Sequence, residues 1–187
     1  MKTRILILTL ALLFVVQLAY ATVPSVTTAD LYDVEVTKLD GSPAPDGLVA
    51  IVIPYTTTAL TVLEEVNAAV AGNQPVVPAY FADQQEDLQA VLPLGTDLND
   101  LQLKELDNLY FSGYTQDMGD LKAKLTFPTQ FVYGKPVAVL IGLVVGDVVV
   151  WEVVPAVVNF DGSITIDMSS ELLLKVQAGN AVISVLQ

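Results

Sequence analysis

The sequence contains no cysteine and no histidine, and its only arginine is Arg4. Each absence closes a route to function. Without Cys there is no thiol chemistry and no disulfide staple. Without His, neither Ser-His-Asp nor Cys-His catalysis can be built, nor a zinc or copper site of ordinary ligand type. Arg4 lies in a stretch read below as a removable leader, so the mature chain has no planar fork for bidentate grip on phosphate or carboxylate. Neither common form of Gly-rich phosphate loop occurs. Positive charge is scarce as well: the chain has 8 basic residues against 21 acidic ones.

What is present begins with an address. Met1 to Ala21 carries Lys2 and Arg4, an apolar core from Ile5 to Leu18, and then Ala19-Tyr20-Ala21. This is the pattern of a secretory signal peptide cleaved after Ala21. The apolar core is shorter than the ~20 residues that a membrane span requires. No Cys follows it to take a lipid, so the expected product is a released chain, secreted or held at the cell surface, with no stable membrane insertion. An exported chain without Cys or an Asn-x-Ser/Thr sequon points to a bacterial source. All 21 acidic residues remain after cleavage against six Lys, a net charge of about −15. Such a surface disfavours nucleic acid and anionic membranes as partners.

The mature chain is organised around its most apolar stretch, Lys135 to Phe160. Val-rich runs flank Gly146-Asp147, which predicts a two-residue hairpin with Gly at the positive-φ position. Asp147, Glu152 and Pro155 argue against a membrane helix here. Along the second strand, Val148, Val150, Val154, Ala156 and Val158 share a face with Glu152, and Val149, Trp151, Val153 and Val157 share the other. Both faces are apolar, so the strand is either covered on both sides or placed in a subunit interface. Val148, Val150, Trp151, Glu152 and Val154 are therefore the candidate assembly edge. Glu152, the one carboxylate in this apolar setting, is read as an edge or interface residue. Pro155 cannot donate to a ladder and marks an edge or a bulge.

The alternation of Asp33 to Leu39 predicts a strand. A turn-rich loop then leads to a second strand, Leu48 to Tyr55, read as buried and paired with the first in a hairpin. Leu60, Leu63, Val66 and Val70 predict a helix over 58–72, with Thr61 and Glu64 as a capping box. Pro75 and Pro78 bracket an extended piece, and a short helix follows Asp83 to Glu86. Gln102 to Tyr114 is read as a strand. In Leu121 to Phe127, Leu121, Ala123, Leu125 and Phe127 point inward. Ser163 to Asp167 is a strand, Ser169 caps a helix from Ser170 to Val176, and Ala181 to Leu186 is the last strand. The expected class is α+β, mainly antiparallel β, with a C-terminal immunoglobulin-like β-sandwich and a small N-terminal hairpin-plus-two-helix part. The division expected is 1–21 signal peptide, 22–117 N-terminal part and 118–187 sandwich-like part, with one continuous domain from 30 to 187 as the alternative.

Several stretches carry a resemblance: 125–129 (LTFPT), 135–142 (KPVAVLIG), Trp151, 161–166 (DGSITI), 171–173 (ELL) and 181–186 (AVISVL). Pro75, Phe81, Ser112-Gly113-Tyr114 and Gly119-Asp120 belong with them. Together they resemble small secreted proteins of anaerobic bacteria that carry no assigned function. The resemblance implies a strand from Gln102 to Tyr114 and brings no catalytic residue.

Carboxylates are the remaining chemistry. A glycosidase needs two facing across a cleft, and Glu64-Glu65, Asp83 with Glu86, and Glu105 with Asp107 are the candidates. Helix faces and caps account for the first two pairs more simply. Calcium is the one cofactor left open: Asp117 with Asp120 and Asp97 with Asp100 offer oxygens, but neither fits the Asp-x-Asp-x-Asp-Gly loop, and turn roles are preferred. Tyr80, Phe81, Tyr110, Phe111, Tyr114 and Tyr133 are candidate aromatics for a sugar or peptide platform, with core packing as the competing role. The function expected is a non-enzymatic extracellular or cell-surface binding or assembly module. Its partner is a protein or glycan at the cell surface, or a second copy of itself. The alternative is a carboxylate-dependent glycan hydrolase.

Overall fold

The computed structural model describes residues 32–187. The leader expected at 1–21 lies outside them, as does the polar stretch up to Leu31. Among the described residues, no helix is long and apolar enough to cross a membrane.

Nine strands are named here in chain order: β1 (Asp33–Lys38), β2 (Val49–Ile53), β3 (Leu103–Ser112), β4 (Leu121–Thr126), β5 (Ala138–Val145), β6 (Val148–Val154), β7 (Ala156–Val158), β8 (Ile164–Met168) and β9 (Asn180–Leu186). The helices are α1 (Thr57–Ala69), α2 (Val76–Tyr80), α3 (Gln85–Val91) and α4 (Ser170–Ala178). The strands form two antiparallel sheets, a four-stranded one in the order β1-β4-β8-β7 and a five-stranded one in the order β2-β3-β9-β5-β6. The fold is α+β and mainly antiparallel β. Both sheets take strands from both sides of residue 117.

The alternation of apolar residues explains the layers. In β4, Leu121, Ala123 and Leu125 point into the space between the sheets, where Ile164, Ile166 and Met168 of β8 meet Val139 and Ile141 of β5 and Ile183 and Val185 of β9. β5 and β9 are apolar on both faces because both are covered. Their other residues, Ala138, Leu140, Val182 and Leu186, pack against Ala59, Val62 and Val66 of α1, Val76 and Val77 of α2, Phe81 and Leu88. A strand buried on both sides loses its alternation. Helix α4 connects β8 to β9, and its Leu172, Leu173 and Val176 join the core between the sheets.

The central hairpin forms as the sequence predicts. Val145 pairs with Val148 across Gly146-Asp147, and Gly146 has φ 63°. At Pro155 the chain leaves the five-stranded sheet: β6 precedes it, β7 in the other sheet follows, and the Pro155 carbonyl accepts from the Asp167 N–H at 3.2 Å. A residue without a donor suits this crossing. Ser169 caps α4, accepting from the Leu172 N–H, as read from the sequence.

Four expectations are corrected. First, β1 and β2 do not pair with each other: β1 pairs with β4, and β2 with β3. In this register Glu35 of β1 stands opposite Lys124 of β4, an opposite-charge cross-strand pair that favours it, and Val34 and Val36 pack against the core between the sheets. Second, β2 is an edge strand rather than a buried one, with Val49, Ile51 and Ile53 exposed. Third, the cap of α1 is Thr56, whose hydroxyl accepts from the Ala59 N–H, while Thr61 donates to the Thr57 carbonyl inside the helix. Fourth, the piece between Pro75 and Pro78 is the short helix α2, with Pro75 as its N-cap. Proline at a helix start costs no hydrogen bond.

Candidate functional site

The strand β3 is longer than its edge partner. β2 stops opposite Asn108, its last pair being Ile53 with Asn108. Pro54 and Tyr55 then turn the chain into α1, and Tyr55 takes the left-handed region at φ 57°. Thr56 fixes the turn: its hydroxyl donates to Asn108 Oδ1 at 2.9 Å while accepting from the Ala59 N–H at 3.1 Å. Residues 103–107 of β3 are left without a strand on that side. A shift of register between Leu103 and Glu105 puts an extra residue, Lys104, into β3. Bulges re-aim side chains. Leu103 and Leu106 go to the helix side, and Glu105 and Asp107 fall on the same face as Leu109 and Phe111.

The result is a cavity of about 330 Å³ lined by Tyr32, Tyr55, Leu60, Leu63, Glu105 and Asp107, with Ala59, Asn67 and residues 103, 104 and 106 completing the wall. Asp107 is 4% exposed, and its Oδ2 has no hydrogen-bond partner among the described residues. Burial pushes the Asp107 carboxyl up to about 7, with Glu105 adding to the shift by its charge and by a hydrogen bond. Burial together with Asp107 and Glu105 also pushes the Tyr32 hydroxyl far above its ordinary range, so Tyr32 stays neutral. The Lys104 amine is turned to Gln102 Oε1 at 2.9 Å. A cavity with a displaced carboxyl, an unpaired buried oxygen and a strained backbone nearby combines the marks of a functional site.

A second feature is an open groove of about 730 Å³ between 91–93, 133–137 and 156–160. Tyr133 and Phe160 stand at it with ring centroids 5.4 Å apart, edge to face. Phe160 is 90% exposed and Tyr133 62%, with Val132, Val157 and Leu94 also exposed.

The other candidate aromatics are dispersed. Phe111 and Tyr114 are buried in the core between the sheets. Tyr110 is exposed on the outer face of β3, opposite Ile51. Tyr80 and Phe81 pack edge to face with Trp151 on the helix side, at 6.2 and 5.1 Å. Tyr80 donates to Glu65, and burial, with the Glu65 charge, pushes its hydroxyl up to about 12. Among the five residues of the candidate assembly edge, Val148 and Val150 are exposed, Val154 is buried, and Trp151 lies half-buried under α2. Glu152 is paired with Lys175 of α4 at 2.7 Å.

Glu64 and Glu65 lie on α1, Asp83 in the 3-10 turn Ala82–Gln84 and Glu86 in the first turn of α3; of these, Glu65 and Asp83 line one open hollow of about 430 Å³ together with Asp147, Tyr80 and Trp151. In the acidic turns, Asp97 caps a single 3-10 turn at Asn99. Asp120 Oδ1 accepts from Ser170 N and Oγ at 2.8 and 2.6 Å, which holds its carboxyl below the usual range. No group of three or more acidic side chains suited to a metal occurs among the described residues.

Tyr32, Tyr55 and Phe160 were not anticipated from the sequence. The signal for Tyr55 is its place after Pro54, between a strand and a helix cap. Phe160 stands beside the Asp161-Gly162 turn, where an apolar ring has no core to enter. Comparison with known protein families, curated proteins and solved structures finds no match for this chain.

Proposed function

We propose that the protein is an exported, non-enzymatic module that binds a protein or glycan at the cell surface or in the extracellular space. The observation carrying this reading is the exposed Tyr133–Phe160 pair at the open groove. Aromatic rings presented to solvent beside a concave surface are the usual means of gripping a sugar face or an apolar side chain. The acidic surface and the signal-like leader fit export. Affinity electrophoresis through gels of soluble polysaccharides, beside capture of cell-surface proteins, tests the idea. Retardation or capture that disappears in the Tyr133→Ala, Phe160→Ala double variant supports it; binding that the double variant keeps sinks it.

Assembly of like chains is the second part of the reading. It draws on β6, the outer strand of its sheet, with Val148 and Val150 exposed on it. An unpaired strand can add another chain by main-chain hydrogen bonding. Light scattering at high concentration is the check, and a strict monomer counts against assembly. The hydrolase alternative draws on Asp107, whose carboxyl sits near 7, in the range of a general acid. Glu105 and Asp107 are close neighbours on a single strand, which suits it poorly. Release of reducing ends from polysaccharide, abolished by Asp107→Asn, would establish it.

A further inference from the structure

The groove beside Tyr133 and Phe160 has a strand edge along it that the two rings do not account for. The ladder between β5 and β6 ends at Val139 with Val154; carried on, it would set Val137 opposite Ala156 and Lys135 opposite Val158. Instead the chain crosses at Pro155 to join β8, and the two stretches part to become walls of the groove. β7 ends the four-stranded sheet, so one of its edges meets no strand. From that free edge, the apolar walls and the single charge of the lining, we infer that the groove takes an extended segment of another protein, added as a strand along β7 and carrying a carboxylate toward Lys135. The inference rests on the groove being a binding surface, as proposed above, and narrows its occupant to a protein strand.

Backbone direction is the first support. The Asp167 N–H donates to the Pro155 carbonyl and the Asn159 N–H to the Ser163 carbonyl, at 3.2 and 2.8 Å. Bonded and non-bonded pairs alternate along an antiparallel ladder. Val157, between Pro155 and Asn159 in that alternation, therefore turns its main-chain groups to β8, and Ala156 and Val158 turn theirs away. Those outward groups have no hydrogen-bond partner among the described residues. No residue of β8 lines the groove, which lies along the other side of β7. An unpaired edge of this kind is a template for one more strand.

Side-chain chemistry separates a protein strand from a glycan. Val91, Leu92, Val137 and Val157 make the walls apolar, and Tyr133 and Phe160 add ring faces. A sugar needs polar side chains to orient its hydroxyls. Asn159 has the only amide side chain in the lining, and its nitrogen is already given to Ser163 Oγ and Thr165 Oγ1, both at 2.9 Å. The alternate side chains of an extended peptide suit apolar walls, while its main chain supplies the hydrogen bonds. Charge fixes one more feature of the partner. The chain has 21 acidic residues against 8 basic ones, yet Lys135 is the only charged residue lining the groove. Lys135 is exposed and makes no ion pair among the described residues, although it also borders the hollow that holds Asp97 and Asp100. An acidic residue on the incoming strand completes that charge; a basic one meets repulsion.

The test is selection of random heptapeptides displayed on phage against the purified protein, with the Tyr133→Ala, Phe160→Ala double variant for counter-selection. The expected result is enrichment of sequences that alternate apolar residues and carry Asp or Glu, with affinity lower by about tenfold or more in the double variant. Methylating the amide nitrogens of a selected peptide one at a time reads strand addition directly. Affinity should fall about tenfold at alternate positions and hold at those between. Lys135→Glu should weaken these peptides by about fivefold at low salt, and about 0.5 M salt should remove the difference. These variants change exposed side chains, and an unaltered melting curve shows that the fold is kept. Failure to enrich any sequence over the double variant, or a methyl scan without alternation, overturns the inference. Retention of a polysaccharide by the two rings while no peptide is selected also overturns it, but keeps the binding surface and makes its occupant a glycan. Selected sequences that reproduce a stretch of this chain overturn it in favour of a second copy.

Discussion

Asp107 makes the sharpest prediction at the scale of a single residue. Its carboxyl is raised from an ordinary 3.8 to about 7 in the folded chain, burial being the main cause. Between those values the native state holds a proton that the unfolded state has released. Stability therefore falls as pH rises through that window and levels off above about 7. The Asp107→Asn variant lacks this slope. Melting temperatures of the two proteins should diverge from about pH 4 to about pH 7, with the wild type losing ground, and parallel curves would contradict the burial of Asp107. Ser184 offers a second case. It is fully buried in β9 on the helix side, and its hydroxyl has no hydrogen-bond partner among the described residues. Ser184→Ala removes an unmet polar group with almost no change of volume. We expect a gain of about 1 kcal/mol, read by urea denaturation.

At the scale of the element, Gly142 decides how β5 and β6 can pack. Gly142 pairs with Trp151, and a Cβ built on it would lie 2.6 Å from Val149 Cγ1 and 2.8 Å from the Trp151 ring. The Trp151 ring also meets Phe81 at 5.1 Å, so it cannot move aside without disturbing the helix layer. Gly142→Ala should cost about 1–3 kcal/mol, the range of overpacked cores, and lower the denaturation midpoint accordingly. A neutral effect would mean that Trp151 is not seated there. The legibility of the sequence also divides at this scale. The Gly146-Asp147 hairpin, the inward Leu121, Ala123 and Leu125, and the Ser169 cap were all readable, because each depends on residues close in the chain. The partner of β1 was not readable in this way, since the Lys122 and Lys124 ladder is about 85 residues away. The exposure of β2 was missed for a related reason. Val49, Ile51 and Ile53 look like core, and only the sheet order makes them an edge. The cavity was half legible. Glu105 with Asp107 was singled out as a pair, but the bulge at Lys104 and the turn at Tyr55 that shape its walls left no periodic trace.

For the whole molecule, the question is whether the chain after residue 117 can stand alone. Strands β4 to β9 hold most of the inner core, but each sheet would lose an edge or a centre. Without β1, Lys124 of β4 loses Glu35 opposite it, and Val34 and Val36 no longer cover the inner face. Without β3, the strand β9 loses six paired positions, and Leu109 and Phe111 leave the core empty beside α4. The helices α1 to α3 also go, which uncovers Leu140, Val182 and Leu186 on the outer face of the five-stranded sheet. A face of that kind, stripped of its cover, drives aggregation rather than folding. The fragment 118–187 should therefore be insoluble or lack a cooperative transition, while residues 22–187 should melt in one step by dichroism and by Trp151 fluorescence alike. Trp151 reports on the helix-covered face and far-ultraviolet dichroism on both sheets, so coincident curves would mean that the layers unfold together. A soluble fragment with its own sharp melting curve would divide the chain after residue 117 and make the strands before it an addition to a self-sufficient sandwich.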